Sequence, residues 1–110
     1  MIKAKFFRDN NDAVYKFEIK GHAGYDEYGK DIVCAAVAAV TQTAVLGIEN
    51  LPTVEISKKI HDGNMVVYVK NNGDARDSIK VTAIIETMIL GLKDIERVYP
   101  EYIKISDRRC

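Results

Sequence analysis

Residues 14–48 read VYKFEIKGHAGYDEYGKDIVCAAVAAVTQTAVLGI, and this stretch contains both patterns on which the fold depends. In its first seven residues apolar and charged side chains alternate, so that Phe17 and Ile19 share one face, as is typical of a half-buried strand. Asp31 then precedes an apolar run that continues to Ile48, and aspartate is a favoured helix N-cap because its carboxylate accepts unpaired backbone N–H groups. The stretch therefore predicts a strand, a glycine-bounded loop and a helix.

The same two patterns extend through the rest of the chain. Asn and Asp residues at 9–12 predict the turn of a first hairpin, and Asp62-Gly63 predicts the turn of a second. The predicted elements, in chain order, are strands at 2–8 and 14–20, a helix at 32–48, strands at 53–60 and 64–70, a helix at 75–98 and a strand at 102–105. The order β-β-α-β-β-α-β predicts an α+β fold, in which a mixed, mostly antiparallel sheet carries two helices.

Length and composition set the class of protein. A chain of 110 residues that is 47% apolar forms one domain, residues 1–110, with a core of its own, and is not disordered. Its 16 Lys and Arg residues are balanced by 16 Asp and Glu residues, with no basic block. Because nucleic-acid binders rely on clustered basic residues, we expect no direct nucleic-acid partner.

The sequence also indicates the cellular location of the protein and the redox state of its cysteines. The N-terminal residues alternate charged and apolar types, which a signal peptide does not, so we expect a cytoplasmic protein. The most apolar run, Ile32 to Leu46, is shorter than a bilayer requires, so no membrane partner is expected. Cys34 and Cys110 fit neither a CxxC pair nor a zinc site, and a reducing cytoplasm keeps them free. No metal or other cofactor is therefore predicted.

Cys34 is the first candidate for chemistry. With Asp31 as N-cap, the cysteine occupies the third helical position, where free N–H groups and the helix dipole favour an anion. His22 follows the second predicted strand, and a strand-loop-helix connection can return it to the start of the helix. A cysteine beside a histidine base is the minimal cysteine hydrolase, so Cys34 and His22 are the predicted catalytic residues.

Each of these residues also has a structural interpretation. A single cysteine in an alanine-rich helix is often a small core residue, and capping alone accounts for Asp31, with orientation of His22 as a possible second role. Tyr25 and Tyr28 either contact a substrate or pack the loop. His61 lies beside the second turn, and we expect it to be solvated. The residues alone leave these alternatives open.

Two segments together resemble a known signature: Gly21-His22-Ala23, and residues 29–37, GKDIVCAAV. They closely resemble the bacterial ribosomal-processing cysteine protease Prp family, and the likeness spans essentially the whole chain. The resemblance implies an α+β homodimer, with the family's catalytic cysteine and histidine at Cys34 and His22 and its adjacent aspartate at Asp31. It also implies a substrate, the N-terminal extension of a large-subunit ribosomal protein, which the family cuts after an aromatic residue.

The leading hypothesis is a cysteine endopeptidase that works through an acyl-enzyme. Backbone N–H groups at the start of the helix, including that of Cys34, are expected to form the oxyanion hole, and the loop from Ala23 to Lys30 is expected to close over an extended peptide. The residues predicted to form the substrate loop are Gly21, Ala23, Gly24, Tyr25, Tyr28 and Gly29.

Two other hypotheses belong to different classes. The first is a non-catalytic factor that binds a ribosomal protein or assists ribosome assembly. The second is a redox sensor, which requires Cys110 to reach Cys34 as a resolving thiol. For the dimer, the long second helix offers Met88 and Ile89 on adjacent faces as a predicted self-complementary patch.

Overall fold

The computed structural model describes residues 1–71 and 74–109, which form five strands and two helices. In chain order these elements are β1 (Ile2–Arg8), β2 (Val14–Lys20), α1 (Ile32–Glu49), β3 (Val54–His61), β4 (Asn64–Asn71), α2 (Ala75–Val98) and β5 (Ile103–Arg109). The predicted element order and the α+β class are confirmed. Cys110 and the predicted turn residues Asn72 and Gly73 lie outside the described residues.

The five strands form one mixed sheet in the order β3-β4-β2-β1-β5. Neighbouring strands are antiparallel except β1 and β5, which run parallel with Ile2 opposite Ile103. β2 is the central strand, and its ladder with β4 continues past the last paired residues, because the N–H of Gly21 donates to the carbonyl of Gly63 at 2.7 Å. The end of β2 is thereby held against the β3–β4 turn.

Both helices pack on one face of the sheet, and the core lies between them and the strands. The largest fully buried side chains are Phe6, Phe17, Val67 and Ile103 from the strands, and Val33, Ile48 and Leu92 from the helices. The predicted apolar stripe of α2 faces this core. The opposite face of the sheet is covered by no element of the described chain.

The burial of α1 differs from the prediction. Its many alanines suggested a largely buried helix, but only a third of it is buried, and Ile32 and Leu46 are 54% and 66% exposed. The helix itself continues to Glu49 and has 18 residues with a mean hydropathy of 1.8. By length and composition alone α1 could cross a membrane, so the expectation that it is too short is wrong. In this fold its residues Val33 and Ile48 lie in the core.

The predicted dimer patch on α2 is also wrong. Met88 and Ile89 are 3% and 2% exposed, because α2 packs against both α1 and the sheet and buries more than one stripe. A side chain that already belongs to the core of the monomer is not available to a second copy.

A buried arginine joins three elements at the end of the sheet away from Gly21. The guanidinium of Arg8 on β1 donates to both carboxylate oxygens of Glu86 on α2, at 2.7 and 2.9 Å, and to both of Asp107 on β5, at 2.7 and 3.0 Å. Hydrogen bonds to Glu86 and then Asp107 raise the pKa of Arg8 above its ordinary value. These hydrogen bonds hold α2 and β5 against β1.

Candidate functional site

A cleft of about 760 Å³ opens where β2 ends, α1 begins and the β3–β4 turn approaches both. The predicted catalytic residues Cys34 and His22 both line it. Its apolar lining comes from side chains of the strands and of α1, namely Ile2, Ile19, Val37, Ile60 and Met65. The fold therefore brings the two candidate residues to one concave surface that has room for peptide side chains.

Cys34 lies in the first turn of α1 and is half-buried. Its Sγ accepts a hydrogen bond from the backbone N–H of Ala23 at 3.2 Å, and Ala23 itself is buried. The thiol is thus held at the wall of the cleft by the residue that follows His22.

His22 is exposed and lies against the β3–β4 turn. Gly63 adopts φ +69°, and a Cβ added there would come within 2.5 Å of Nε2 of His22. Glycine is therefore favoured at this position, both by its dihedral angle and by the space that the imidazole occupies. In the described part of the chain no hydrogen bond joins the imidazole to Sγ of Cys34. The two groups share the cleft, and their pairing in catalysis stays a prediction.

Asp31 uses both carboxylate oxygens on backbone donors. Oδ1 accepts the N–H groups of Val33 and Cys34, both at 3.0 Å, which confirms the N-cap prediction. Oδ2 accepts the N–H groups of Tyr25 at 2.9 Å and Asp26 at 3.3 Å. Asp31 therefore ties the loop to the helix, and across residues 1–71 and 74–109 it makes no hydrogen bond to His22.

The pKa of Asp31 reflects this arrangement. Burial alone raises the pKa of the carboxyl, but the four backbone N–H donors outweigh burial, and the pKa lies below its ordinary value. The ionised form is the one that the loop and the helix require.

The predicted substrate loop divides into a fixed and an exposed part. Tyr25 packs edge-on against Tyr99 and Tyr102, with ring centroids 5.5 and 5.2 Å apart, which fixes this part of the loop against the domain. Tyr28 is 83% exposed and lines the cleft. Of the other predicted loop residues, those that line the cleft are Gly21, Gly24 and Gly29, whereas Ala23 is buried.

Three of the N–H groups at the start of α1, where the oxyanion hole is predicted, already have acceptors. The N–H groups of Val33 and Cys34 donate to the Asp31 carboxylate, and that of Ala35 donates to the Asp31 carbonyl at 3.0 Å. A donor that already caps the helix cannot also stabilise an oxyanion without breaking the cap. The N–H of Ala23 donates to Sγ itself and is a further donor beside the nucleophile.

The β3–β4 turn is a wall of the cleft that sequence reasoning missed. Ile60, His61, Asn64 and Met65 all line the cleft beside Gly63. His61 is exposed, as predicted, yet it faces the same cavity as His22. The sequence contains no signal for this proximity, because it depends on how β4 pairs with β2. Among the described residues, no group of three or more His, Cys, Asp or Glu side chains is placed to hold a metal ion.

Asp31→Asn is expected to cost about 1–2 kcal/mol of unfolding free energy, because the amide retains one acceptor for the cap but turns its NH₂ toward the N–H groups of Tyr25 and Asp26. The matched control is Asp74→Asn at the N-cap of α2, where the carboxylate accepts two helical N–H groups through one oxygen. Asparagine caps nearly as well as aspartate, so the control is expected to lose only a few tenths of a kcal/mol. Urea denaturation of both variants measures the difference, and equal losses would contradict the loop-anchoring role.

The effect of Asp31→Asn is also expected to depend on pH. Since the folded-state pKa is lowered, the stability that the carboxylate contributes is fully present above its unfolded value of about 3.9 and is lost as the pH falls through the folded value. The stability difference between the wild-type protein and Asp31→Asn should therefore be constant near pH 7 and shrink below about pH 4. A stability difference between the two proteins that grows on acidification would contradict the lowered pKa of Asp31.

Three comparisons with known proteins bear on this site. Residues 1–104 match the family described as Cysteine protease Prp. The chain is 32% identical to the ribosomal processing cysteine protease Prp of Bacillus subtilis (strain 168), over 96% of each chain. Two crystal structures of Prp from S. aureus, one with a covalently linked product peptide and one with a substrate peptide, match with TM-scores of 0.87 and 0.80. Both are 27% identical, and the matches cover 98% of this chain and 100% of theirs.

Proposed function

Since this chain belongs to the Prp family of cysteine proteases, we propose that it processes a ribosomal protein with Cys34 as nucleophile and His22 as general base. The observation that supports this most is the position of Cys34. Its sulfur lies in the first turn of α1, faces a cleft of about 760 Å³ and is held by the N–H of a loop residue adjacent to His22.

The mechanism follows from these positions. His22 takes the Cys34 proton, and the sulfur attacks the scissile carbonyl to give a tetrahedral intermediate. His22 then returns the proton to the departing amine, which leaves an acyl-enzyme that water hydrolyses with His22 again as base. The oxyanion develops within reach of the Ala23 N–H, which lies 3.2 Å from Sγ before reaction. The hydrogen bond between His22 and the sulfur forms when the peptide is bound, as catalytic hydrogen bonds often do.

The proposed substrate is the N-terminal extension of a large-subunit ribosomal protein, cut after an aromatic residue. Relatives of this chain are ribosomal processing proteases, and one solved relative holds a substrate peptide. The apolar wall formed by Ile19, Ile60 and Met65 suits an aromatic side chain, and the exposed Tyr28 borders the same space. The loop around Tyr28 covers the bound peptide.

The test is a panel of peptides that differ only at the residue before the cut. Incubation with the full chain, followed by mass spectrometry, is expected to give two products when that residue is aromatic and at least tenfold less product when it is alanine. Matched peptides with the aromatic residue moved by one position should move the cut with it. If the peptides bind without any product, the non-catalytic binding factor replaces the protease.

Assembly and location complete the proposed function. An exposed apolar stripe runs along α1 from Ile32 through Ala35 and Ala39 to Leu46, and small residues in such a stripe let a second helix approach closely. A homodimer through this stripe places the second copy beside the cleft, because Ala35 also lines it, and a reducing cytoplasm keeps the nucleophile free. Leu46→Glu is expected to give a monomer in sedimentation equilibrium at concentrations where the wild-type chain is dimeric. A wild-type monomer at high micromolar concentration would contradict the dimer.

A further inference from the structure

The uncovered face of the sheet carries an unusual distribution of charge. Register across all five strands places alternate residues on this side, away from the helices. From β1 and β2 it receives Lys3, Lys5, Lys16 and Lys20. From β3, β4 and β5 it receives Lys59, Lys70, Lys104 and Arg108. We refer to these eight side chains and the residues between them as the basic sheet face.

The chain is neutral overall, but this face is not. It holds eight of the 16 Lys and Arg residues and two of the 16 Asp and Glu residues, Glu18 and Glu55, which is a surplus of six positive charges. The rest of the sequence has eight Lys and Arg residues against 14 Asp and Glu residues, a deficit of the same size. Glu18 pairs with Lys16 at 3.1 Å and with Lys20 at 3.8 Å, so both neighbours partly neutralise one carboxylate.

Two aromatic rings lie in the middle of the basic sheet face. Phe7, Lys16 and Tyr68 stand opposite one another on three adjacent strands. Nζ of Lys16 lies 5.1 Å from each ring centroid, and Tyr68 is 49% exposed. Aromatic rings that are flanked by lysines on an open sheet combine a stacking surface for bases with cations for phosphates.

We infer that the basic sheet face binds single-stranded RNA, with phosphates on the lysines and a base stacked on the exposed ring of Tyr68. A second copy of the chain is a poor occupant, because a two-fold contact would place six surplus positive charges against six more. An acidic polypeptide would satisfy the lysines but would not use the rings. The expectation of no nucleic-acid partner came from the net charge of the whole chain. A partner contacts only one face, and the charge of that face differs from the net charge.

The basic sheet face is continuous with the cleft. His61 and Asn64 stand opposite each other at the end of β3 and β4, on the uncovered side, and both also line the cleft. Lys20 and Lys3 lie at the same end of the sheet. A chain that binds RNA on this face therefore holds it beside the peptide site, whatever the identity of the protease substrate.

The test is fluorescence anisotropy of a labelled 20-nucleotide oligouridylate with the full chain at several KCl concentrations. The triple variant Lys5→Gln, Lys70→Gln, Lys104→Gln is expected to bind at least tenfold more weakly and to lower the slope of log affinity against log salt by roughly 2. The control removes the same charge from exposed positions of α2 and consists of Arg76→Gln, Lys80→Gln and Lys93→Gln. It should change the affinity less than twofold.

A second pair of variants tests the rings. Tyr68→Thr keeps the strand propensity and is expected to weaken binding about tenfold, whereas Tyr68→Phe should retain it. Circular dichroism confirms that each variant is folded. The inference is overturned if the wild-type chain fails to bind the oligouridylate at 50 mM KCl, or if both triple variants lose the same affinity for it. It is also overturned if polyglutamate displaces the labelled RNA as well as unlabelled RNA does, which would assign the face to acidic proteins.

Discussion

Cys34→Ala is expected to abolish peptide cleavage, with kcat/KM lowered about 10⁴-fold or more, because Cys34 supplies the only thiol among the described residues that line the cleft. The change removes one half-buried sulfur and the acceptor of a single N–H bond, from Ala23. Alanine is also the best helix former, so the unfolding free energy should fall by no more than about 1 kcal/mol. The loss is therefore one of chemistry and not of folding.

The matched control is Cys110→Ala, which removes the other cysteine of the chain. It should cleave the aromatic peptide at the wild-type rate. Alkylation with iodoacetamide near pH 7, read by mass spectrometry, should label Cys34 in the folded control and leave Cys34→Ala without a label in the cleft. Cleavage by Cys34→Ala at the wild-type rate would show that Cys34 is not the nucleophile. Loss of cleavage in Cys110→Ala would favour the redox sensor, in which Cys110 is the resolving thiol.

His22→Ala is expected to lower kcat/KM by about 10³-fold, the range that a general base supplies. Since the imidazole is exposed and makes no hydrogen bond within residues 1–71 and 74–109, stability should change little. The pH profile of kcat/KM should lose the limb that depends on this base. A purely structural role would lower the rate without changing that profile.

His61→Ala is the matched control, because this second imidazole lines the same cleft but lies across the β3–β4 turn from Cys34. It should keep its rate within a few-fold of wild type and retain the pH profile. Gly63→Ala gives an independent check, since the added Cβ displaces the ring of His22 and should lower kcat while the residue itself is still present. If His61→Ala removes activity and His22→Ala does not, the base is His61.

Much of the architecture follows from local patterns in the sequence. Alternation from Val14 to Lys20 and the capped run from Asp31 predict β2 and α1, and the apolar spacing of α2 predicts its core stripe. These signals succeed because side chains return to the same face every two residues in a strand and every 3.6 residues in a helix. An element that is buried on one face therefore has apolar residues at that spacing. The N-cap is equally local, since Asp31 and its helical donors lie within three residues.

The predictions that are wrong concern which face of a helix is buried. That depends on packing against elements that are distant in sequence. The alanines of α1 fit a buried helix, but part of that surface has no neighbour in the monomer. Met88 and Ile89 fit an exposed patch, but α2 packs against both α1 and the sheet and buries them. Likewise, the N–H groups at the start of α1 suit an oxyanion until the Asp31 carboxylate is seen to accept them.

The sequence by itself therefore determined the order of the elements, the cap of α1 and the position of Cys34 in its first turn, because each depends on residues a few positions apart. Only the tertiary structure decided that Gly63 lies under His22, that Ala23 donates to the sulfur and that one sheet face gathers the positive charge. Those features depend on strand order and register, which pair residues from separate parts of the chain. Backbone hydrogen bonding and core packing select that pairing for the whole domain at once, and no short window of sequence records it.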